Sequence, residues 1–242
     1  MRIDQTLVLK GLCESRQEAQ ECISHGAVFL NGTVVTKQAK QIAEHDVLTV
    51  TATRKFVSRG GDKLEGALLH VYGSANIATN TLNHTHVLDI GSSTGGFTDC
   101  LLRYGVDTVT AVDVGTSQIH QKLKNDPRVV IFENTDIRNF VSTTLFDSIV
   151  GDLSFISLDK LFTKVLSFGR VGASFFLLIK PQFEVGKGNT KKGIVKNEQL
   201  VVELLSKYKA LAISYGGKDI VLFPCSISGG DGNQEYFLYF TR

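Results

Sequence analysis

Two different alternations of apolar and polar positions meet near residue 54. Before that point, Ser15-Arg16-Gln17-Glu18 has the form of a capping box, a hydroxyl at the N-cap and a carboxylate three residues on, and Ala19, Cys22 and Ile23 follow at helical spacing. A short helix is predicted there. Ala27-Val28-Phe29-Leu30 and Thr33-Val34-Val35 then flank Asn31-Gly32, a dipeptide that tolerates positive φ and so marks a hairpin. Another short strand, Val47 to Val50, completes a small α+β unit. A unit of about 50 residues has little core of its own, which suits a recognition module docked on something larger.

After residue 80 the pattern becomes strand, helix, strand. Apolar runs predict strands over 86–90, 108–113, 129–132, 146–151 and 173–179, with helical spacing between most of them and again over 197–212. Such alternation implies a parallel sheet covered on both faces. The last two runs, Ile220 to Phe223 and Tyr236 to Phe240, are separated by Gly229-Gly230-Asp231-Gly232-Asn233. That connection is too short for a helical crossover, so the final pair is expected to be antiparallel.

Composition narrows the class without deciding it. The chain has 242 residues, 43% hydrophobic and 21% charged, with a formal net charge of +2, too small to announce a nucleic-acid partner by itself. Charge placement says more: Lys180, Lys187, Lys191, Lys192 and Lys196 stand against Glu184 alone, a basic stretch that can attract phosphates or simply form a solvated loop. Cys13, Cys22, Cys100 and Cys225 lack metal-ligand or redox spacing, so no metal site is expected and the thiols should be reduced. With no signal-like N-terminus and no apolar run beyond strand length, a soluble cytoplasmic protein is expected.

The most informative segment is Asp89-Ile90-Gly91-Ser92-Ser93-Thr94-Gly95-Gly96-Phe97, which joins a predicted strand to a predicted helix. It fails the dinucleotide pattern, because Ser93 stands where a second glycine would let the backbone approach a pyrophosphate. An acid on the strand, small loop residues and Asp113 about 20 residues on suit a ligand with a ribose diol and an ammonium but no phosphates. S-adenosylmethionine is such a ligand; a plain glycine-rich turn is the duller alternative. In open α/β sheets ligands bind beyond the carboxyl ends of the strands. Asp89, Asp113, Asp136, Asp152 and Lys180 fall at or just past the ends of successive strands, and Glu235 opens the antiparallel one. All six should share one rim.

The motifs together resemble the TlyA family of S4-domain ribosomal RNA 2′-O-methyltransferases, whose members often carry the name hemolysin and whose catalytic domain is similar to the FtsJ methyltransferases. The resemblance spans nearly the whole chain. It rests on Ser15-Arg16-x-x-Ala19, Gly26-x-Val28-x-x-Asn31-Gly32, Val57-Ser58-Arg59-Gly60-Gly61-x-Lys63-Leu64, the Asp89 to Phe97 loop, and Ala111-Val112-Asp113-Val114-Gly115. Asp152-Leu153-Ser154-Phe155-Ile156-Ser157, Lys180-Pro181-Gln182-Phe183-Glu184 and Gly232-Asn233-x-Glu235 complete it. The implied fold is a Rossmann-like methyltransferase sheet with an antiparallel last strand, preceded by an S4-like domain over 1–53 and a linker over 54–57, with the catalytic domain over 58–242.

The resemblance implies a catalytic tetrad of Lys63, Asp152, Lys180 and Glu235, with Lys180 as base, the two acids aligning it, and Lys63 as electrostatic support. A ribose hydroxyl is a poor nucleophile, so its attack on a sulfonium methyl needs a base or a cation for the developing alkoxide. It also implies S-adenosylmethionine held by Gly91, Ser92, Gly95, Gly96 and Phe97 at the methionine end, Asp113 and Val114 at the ribose, and Asp136 and Ile137 at the adenine. Asp89 and Asp152 flank that cofactor, and Ser58, Arg59 and Gly60 close over it. Thr116 and His120-Gln121 depart from the family's usual larger residues, which bears on the adenine pocket only; His120 reads as a surface helix residue. Lys10, Arg16 and Asn31 of the S4-like unit, with Lys187, Lys191 and Lys192, are the candidate RNA contacts. The implied substrate is cytidine of 16S and/or 23S rRNA within ribosomal subunits or particles, with no obligate protein partner and no membrane. Three rivals carry different predictions: a membrane-lytic protein needs an apolar or amphipathic lytic element, a catalytically silent assembly factor would lack part of the tetrad, and an oxidoreductase would want the glycine that Ser93 replaces.

Overall fold

The structure is a computed structural model describing all residues except 14, 25, 44, 52–54, 79–81, 83, 84, 155 and 187, and not the side chains of residues 21 and 75–78. Its contacts divide the chain into two units, Met1–Arg54 and Lys55–Arg242.

In the first unit, helices α1 (Ile3–Leu9) and α2 (Arg16–Ser24) accompany strands β1 (Val28–Leu30), β2 (Thr33–Val34) and β3 (Leu48–Val50), in the antiparallel order β2-β1-β3. The capping box is present in part: the Glu18 N–H donates to Ser15 Oγ at 3.1 Å. The hairpin turns on Asn31 and Gly32, both at positive φ. Helix α1 is not evident from spacing alone, yet its Ile3 and Leu7 are fully buried with Ile23 and Val28. Asp4, also fully buried, accepts from Arg2, Arg16 and Gln20 side chains at 2.9–3.0 Å. The Arg2 bonds, more than any other neighbour, hold its carboxyl well below the usual range.

The second unit opens with α3 (Arg59–Ala78), followed by β4 (His86–Ile90), α4 (Gly96–Arg103), β5 (Thr108–Val112), α5 (Gln121–Lys124), β6 (Val129–Phe132) and β7 (Phe146–Gly151). After a short 3-10 turn, Leu158–Lys160, come α6 (Phe162–Leu166), β8 (Gly169–Ile179), α7 (Pro181–Glu184), α8 (Glu198–Ser214), β9 (Lys218–Pro224) and β10 (Tyr236–Thr241). The seven strands lie in the order β6-β5-β4-β7-β8-β10-β9. Only β10 runs against its neighbours: it pairs antiparallel with both β8 and β9.

Strand periodicity sorts the core into two layers. Val87, Val109, Phe176, Leu178 and Phe237 pack under α3 and α4, whereas Leu88, Ile90, Phe175, Leu177 and Phe240 pack with α6 and α8. Helix α3 is a helix the spacing analysis does not predict. Its glycines at 60, 61, 66 and 73 disguise it, although Leu64, Ala67, Leu68 and Val71 recur at helical intervals and join the core. All four cysteines are buried and none is in a disulfide. Among the described residues no helix is long and apolar enough to cross a membrane.

Candidate active site

The sheet register brings the motifs to one rim. Ile90 pairs with Val112 and with Gly151 in parallel, so the chain leaves β4, β5 and β7 at the same level. Tyr236 pairs with Ile179, which puts Glu235 and Lys180 side by side across the antiparallel pair. Lys63 arrives from α3, one turn beyond its first residue.

The tetrad resolves into two ion pairs of different depth. Lys63 Nζ donates to Glu235 Oε2 at 2.6 Å, with the side chains 9% and 3% exposed. Lys180 Nζ lies 2.6 Å from Asp152 Oδ1, a charge contact without the alignment of a hydrogen bond, and these side chains are 12% and 20% exposed. The same Nζ donates to Ser154 Oγ at 2.8 Å. The Lys180–Asp152 pair is the shallower of the two and its Asp152 lines the adjoining cleft, whereas Lys63–Glu235 is the deeper pair.

The cleft has a volume of about 1240 Å³. Its first wall is the glycine loop and the ends of β4 and β5: Ile90, Gly91, Ser93, Asp113 and Val114. Gly91 is required there, since its φ is 78° and a Cβ would come within 2.7 Å of the Asp152 carbonyl oxygen. Asp113 is preset by two backbone donors, Ser93 N–H at 2.8 Å and Gly115 N–H at 2.6 Å. Asp136 and Ile137 line the same cleft, with Ile137 buried. Asp136, however, is held by the Arg138 side chain, which also draws its carboxyl below the usual range. Its oxygens are thus engaged before any adenine arrives.

Other expected cofactor residues lie behind the loop. Asp89 is fully buried: Thr98 Oγ1 donates to Oδ2 at 2.6 Å while Oδ1 has no partner, and burial pushes this carboxyl up to about 7. Ser92 is buried too. The Phe97 side chain is a core residue, 3% exposed and stacked on Phe237, which corrects the expectation that it faces the cofactor: its ring is apolar and finds a full apolar shell between α4 and the sheet. Ser58 and Gly60 do close on the loop, as a Cβ on Gly96 would meet Ser58 Oγ at 2.3 Å and the Gly60 Cα at 3.0 Å. Gly95 is the left-handed N-cap of α4. Arg59 instead donates to the Ser228 carbonyl, tying the start of α3 to the loop before β10. His120, near the departures at Thr116 and Gln121, is the N-cap of α5, its Nδ1 accepting from Lys122 N–H at 3.1 Å.

The RNA candidates are exposed, but not equally available. Asn31 spends both ends of its amide internally, donating to Asp46 Oδ1 at 2.7 Å and accepting from Val47 N–H at 2.8 Å, so its evident task is to brace the hairpin. Arg16 keeps one nitrogen on Asp4 and is half exposed; Lys10 donates to the Asp46 carbonyl over a long 3.5 Å. Lys191 and Lys192 are exposed. Lys187 lies outside the described residues, as does Phe155 of the Asp152 motif.

Several cleft residues have no signal in the spacing of the motifs: Gln118, Thr135, Arg138 and Lys160. Glu184, quoted above only as part of a motif, proves to be a clasp. It accepts from Leu158 N–H at 2.9 Å, from Tyr208 Oη at 2.7 Å and from Ser157 Oγ, joining the segment after Asp152 to the one after Lys180. Tyr208 is fully buried, and that burial raises its phenol far above the ordinary value.

Comparison with known proteins agrees with this geometry. The FtsJ-like methyltransferase family matches residues 56–242, and the S4 domain matches residues 1–48. The chain is 38% identical over 245 residues to Hemolysin A of Brachyspira hyodysenteriae, covering 99% of each. It is also 38% identical to the 16S/23S rRNA (cytidine-2′-O)-methyltransferase TlyA of Mycobacterium tuberculosis, covering 98% of this chain and 88% of that protein. A solved structure of a hemolysin-named protein from Streptococcus thermophilus superposes with a TM-score of 0.75 at 32% identity, over 100% of this chain and 88% of that one. The chain belongs to the FtsJ-like methyltransferase family, in its S4-domain-bearing TlyA branch.

Proposed function

We propose that the chain transfers a methyl group from S-adenosylmethionine to a ribose 2′-hydroxyl of ribosomal RNA, at cytidine in 16S or 23S rRNA within ribosomal subunits, and that this activity, not lysis, is its function. The observation that carries the reading is the Lys180–Asp152 pair at the edge of a cleft walled by a glycine loop and carboxylates. Relatives named for rRNA cytidine 2′-O-methylation support the substrate.

The residues present fit this cofactor. Asp113 and Asp152 offer the cleft carboxylates that suit an ammonium, a sulfonium and a diol, while Arg138 engages Asp136. Both Asp113 oxygens retain a lone pair beyond the backbone N–H each already accepts, as a ribose diol requires. Val114 and Ile137 supply apolar surface for an adenine.

Bound there, S-adenosylmethionine supplies a methyl group activated by positive sulfur. The chain's part is to orient the hydroxyl and remove its proton. A lysine amine that has lost one proton keeps two N–H groups and gains a lone pair. Ser154 Oγ takes one N–H of Lys180, Asp152 holds the amine on its side, and the lone pair accepts the hydroxyl proton as the oxygen attacks. Asp152 then stabilises the ammonium that results. Lys63 and Glu235 neutralise each other, so the buried wall adds no net charge. Most of the acceleration would come from alignment.

Residues 1–53 are assigned as the RNA-binding domain, 54–57 as linker and 58–242 as catalytic domain, with Lys10 and Arg16 reaching phosphates that position the RNA without naming its sequence. The test is transfer of labelled methyl from S-adenosylmethionine to purified ribosomal subunits, followed by digestion to nucleosides. The expected product is 2′-O-methylcytidine; label in a base, or no label with tight binding of NAD, overturns the reading.

A further inference from the structure

The connection between α7 and α8 and the loop before β10 are stapled together by one side chain. Asn233 is 3% exposed and uses both ends of its amide: Nδ2 donates to the Gly193 carbonyl at 2.9 Å, and Oδ1 accepts from Val195 N–H at 3.0 Å. Its own carbonyl accepts from Gly229 N–H at 2.9 Å, which closes the loop that leads to Glu235. The stapled segment is a two-residue hairpin. Lys191 N–H donates to the Ile194 carbonyl at 2.9 Å and Ile194 N–H to the Lys191 carbonyl at 3.1 Å.

Its central residues, Lys192 and Gly193, have φ of 53° and 80°. Asparagine or glycine occupies the first of these positions at lower steric cost than lysine, so the backbone alone gives no reason for Lys192. Lys191, Lys192 and Lys196 are exposed, and none of them enters an ion pair among the described residues. Thr190, just before the turn, lines the same cleft as Asp152.

We propose that this turn is a preformed phosphate clamp for the RNA strand next to the target nucleotide, and that Asn233 is the positioning residue that keeps clamp and Glu235 in register. The proposal rests on RNA as the substrate. A strand whose ribose reaches Lys180 runs past Thr190 and carries its neighbouring phosphate to Lys192. A turn held in place by a buried amide loses little freedom when it grips that phosphate.

Three variants test this: Lys192→Gln, Asn233→Asp and the double variant, each assayed with purified ribosomal subunits. Lys192→Gln should weaken RNA binding and lower the slope of log affinity against log salt by about one. Its KM for RNA should rise about tenfold with kcat and S-adenosylmethionine affinity unchanged, as expected for one lost phosphate contact. Asn233→Asp keeps the acceptor for Val195 but sets a carboxylate oxygen against the Gly193 carbonyl, so the same rise in KM is expected. The double variant should be no worse than Asn233→Asp alone, because releasing the turn already removes the contribution of Lys192. An unchanged salt slope in Lys192→Gln overturns the clamp. Multiplied losses in the double variant, or equal loss of cofactor affinity in Asn233→Asp, overturn the role of Asn233. If the wild-type protein binds RNA yet transfers no methyl group, the activity reading fails, and the salt slopes still decide the clamp.

Discussion

Removing one partner of the Lys63–Glu235 pair should unfold the catalytic unit more readily, and removing both should restore the fold without the activity. At 2.6 Å, with side chains 9% and 3% exposed, neither charge has water to turn to when the other is lost. Breaking such a pair costs ~3–5 kcal/mol, whereas replacing both ions by apolar groups of similar volume is often neutral or better. At ~2–4 °C per kcal/mol for a unit of this size, Lys63→Met or Glu235→Leu should lower Tm by roughly 6–20 °C. Urea titration followed by circular dichroism gives the free energies directly. The double variant Lys63→Met/Glu235→Leu should recover most of the loss while methyl transfer stays far below wild type. If a single variant loses less than about 1 kcal/mol, the range of an exposed pair, or if the double variant is less stable than both singles, the pair is not the buried support described here.

Asp113→Ala should weaken S-adenosylmethionine about tenfold or more, the worth of hydrogen bonds to a charged acceptor; calorimetry showing unchanged affinity would remove Asp113 from the ribose site. Asp89 supplies a pH test. Burial raises its carboxyl from 3.8 to about 7, so between those values the folded state holds the extra proton and stability falls as pH rises. Asp89→Asn should flatten that part of the stability profile, and parallel wild-type and variant profiles from pH 4 to 7 would contradict the assignment.

The parallel strands were legible because each buried run is short, apolar and followed by turn chemistry, and the antiparallel end because the eleven residues between Pro224 and Tyr236 are rich in turn-forming glycine and short of the dozen or more that a crossover needs. Helix α3 was not, since the glycines that let its first turn pack against Gly96 also erase its helical propensity. The acids and lysine at the strand ends point to a common rim, but nothing in their spacing separates the deep pair from the shallow one; burial alone does that. Phe97 misleads because a motif position says nothing of which way a ring faces. Glu184 and Asn233 act on segments distant in sequence, through bonds to backbone groups that leave no trace in residue type. Asn31 shows the reverse, an exposed polar residue in a motif whose amide is consumed by its own hairpin.

The role of Lys180 is the claim on which the account turns, and single-turnover methyl transfer by Lys180→Ala measures it. A group that takes the hydroxyl proton only as the methyl moves acts on the transition state, so its loss should fall on rate and spare binding. The expected result is a transfer rate at least about a hundredfold below wild type, the low end for general acid–base catalysis, with affinities for S-adenosylmethionine and rRNA within a few-fold. A variant that transfers at near the wild-type rate, or one that loses RNA affinity in proportion to rate, would make Lys180 one more positive charge beside the RNA and contradict the mechanism.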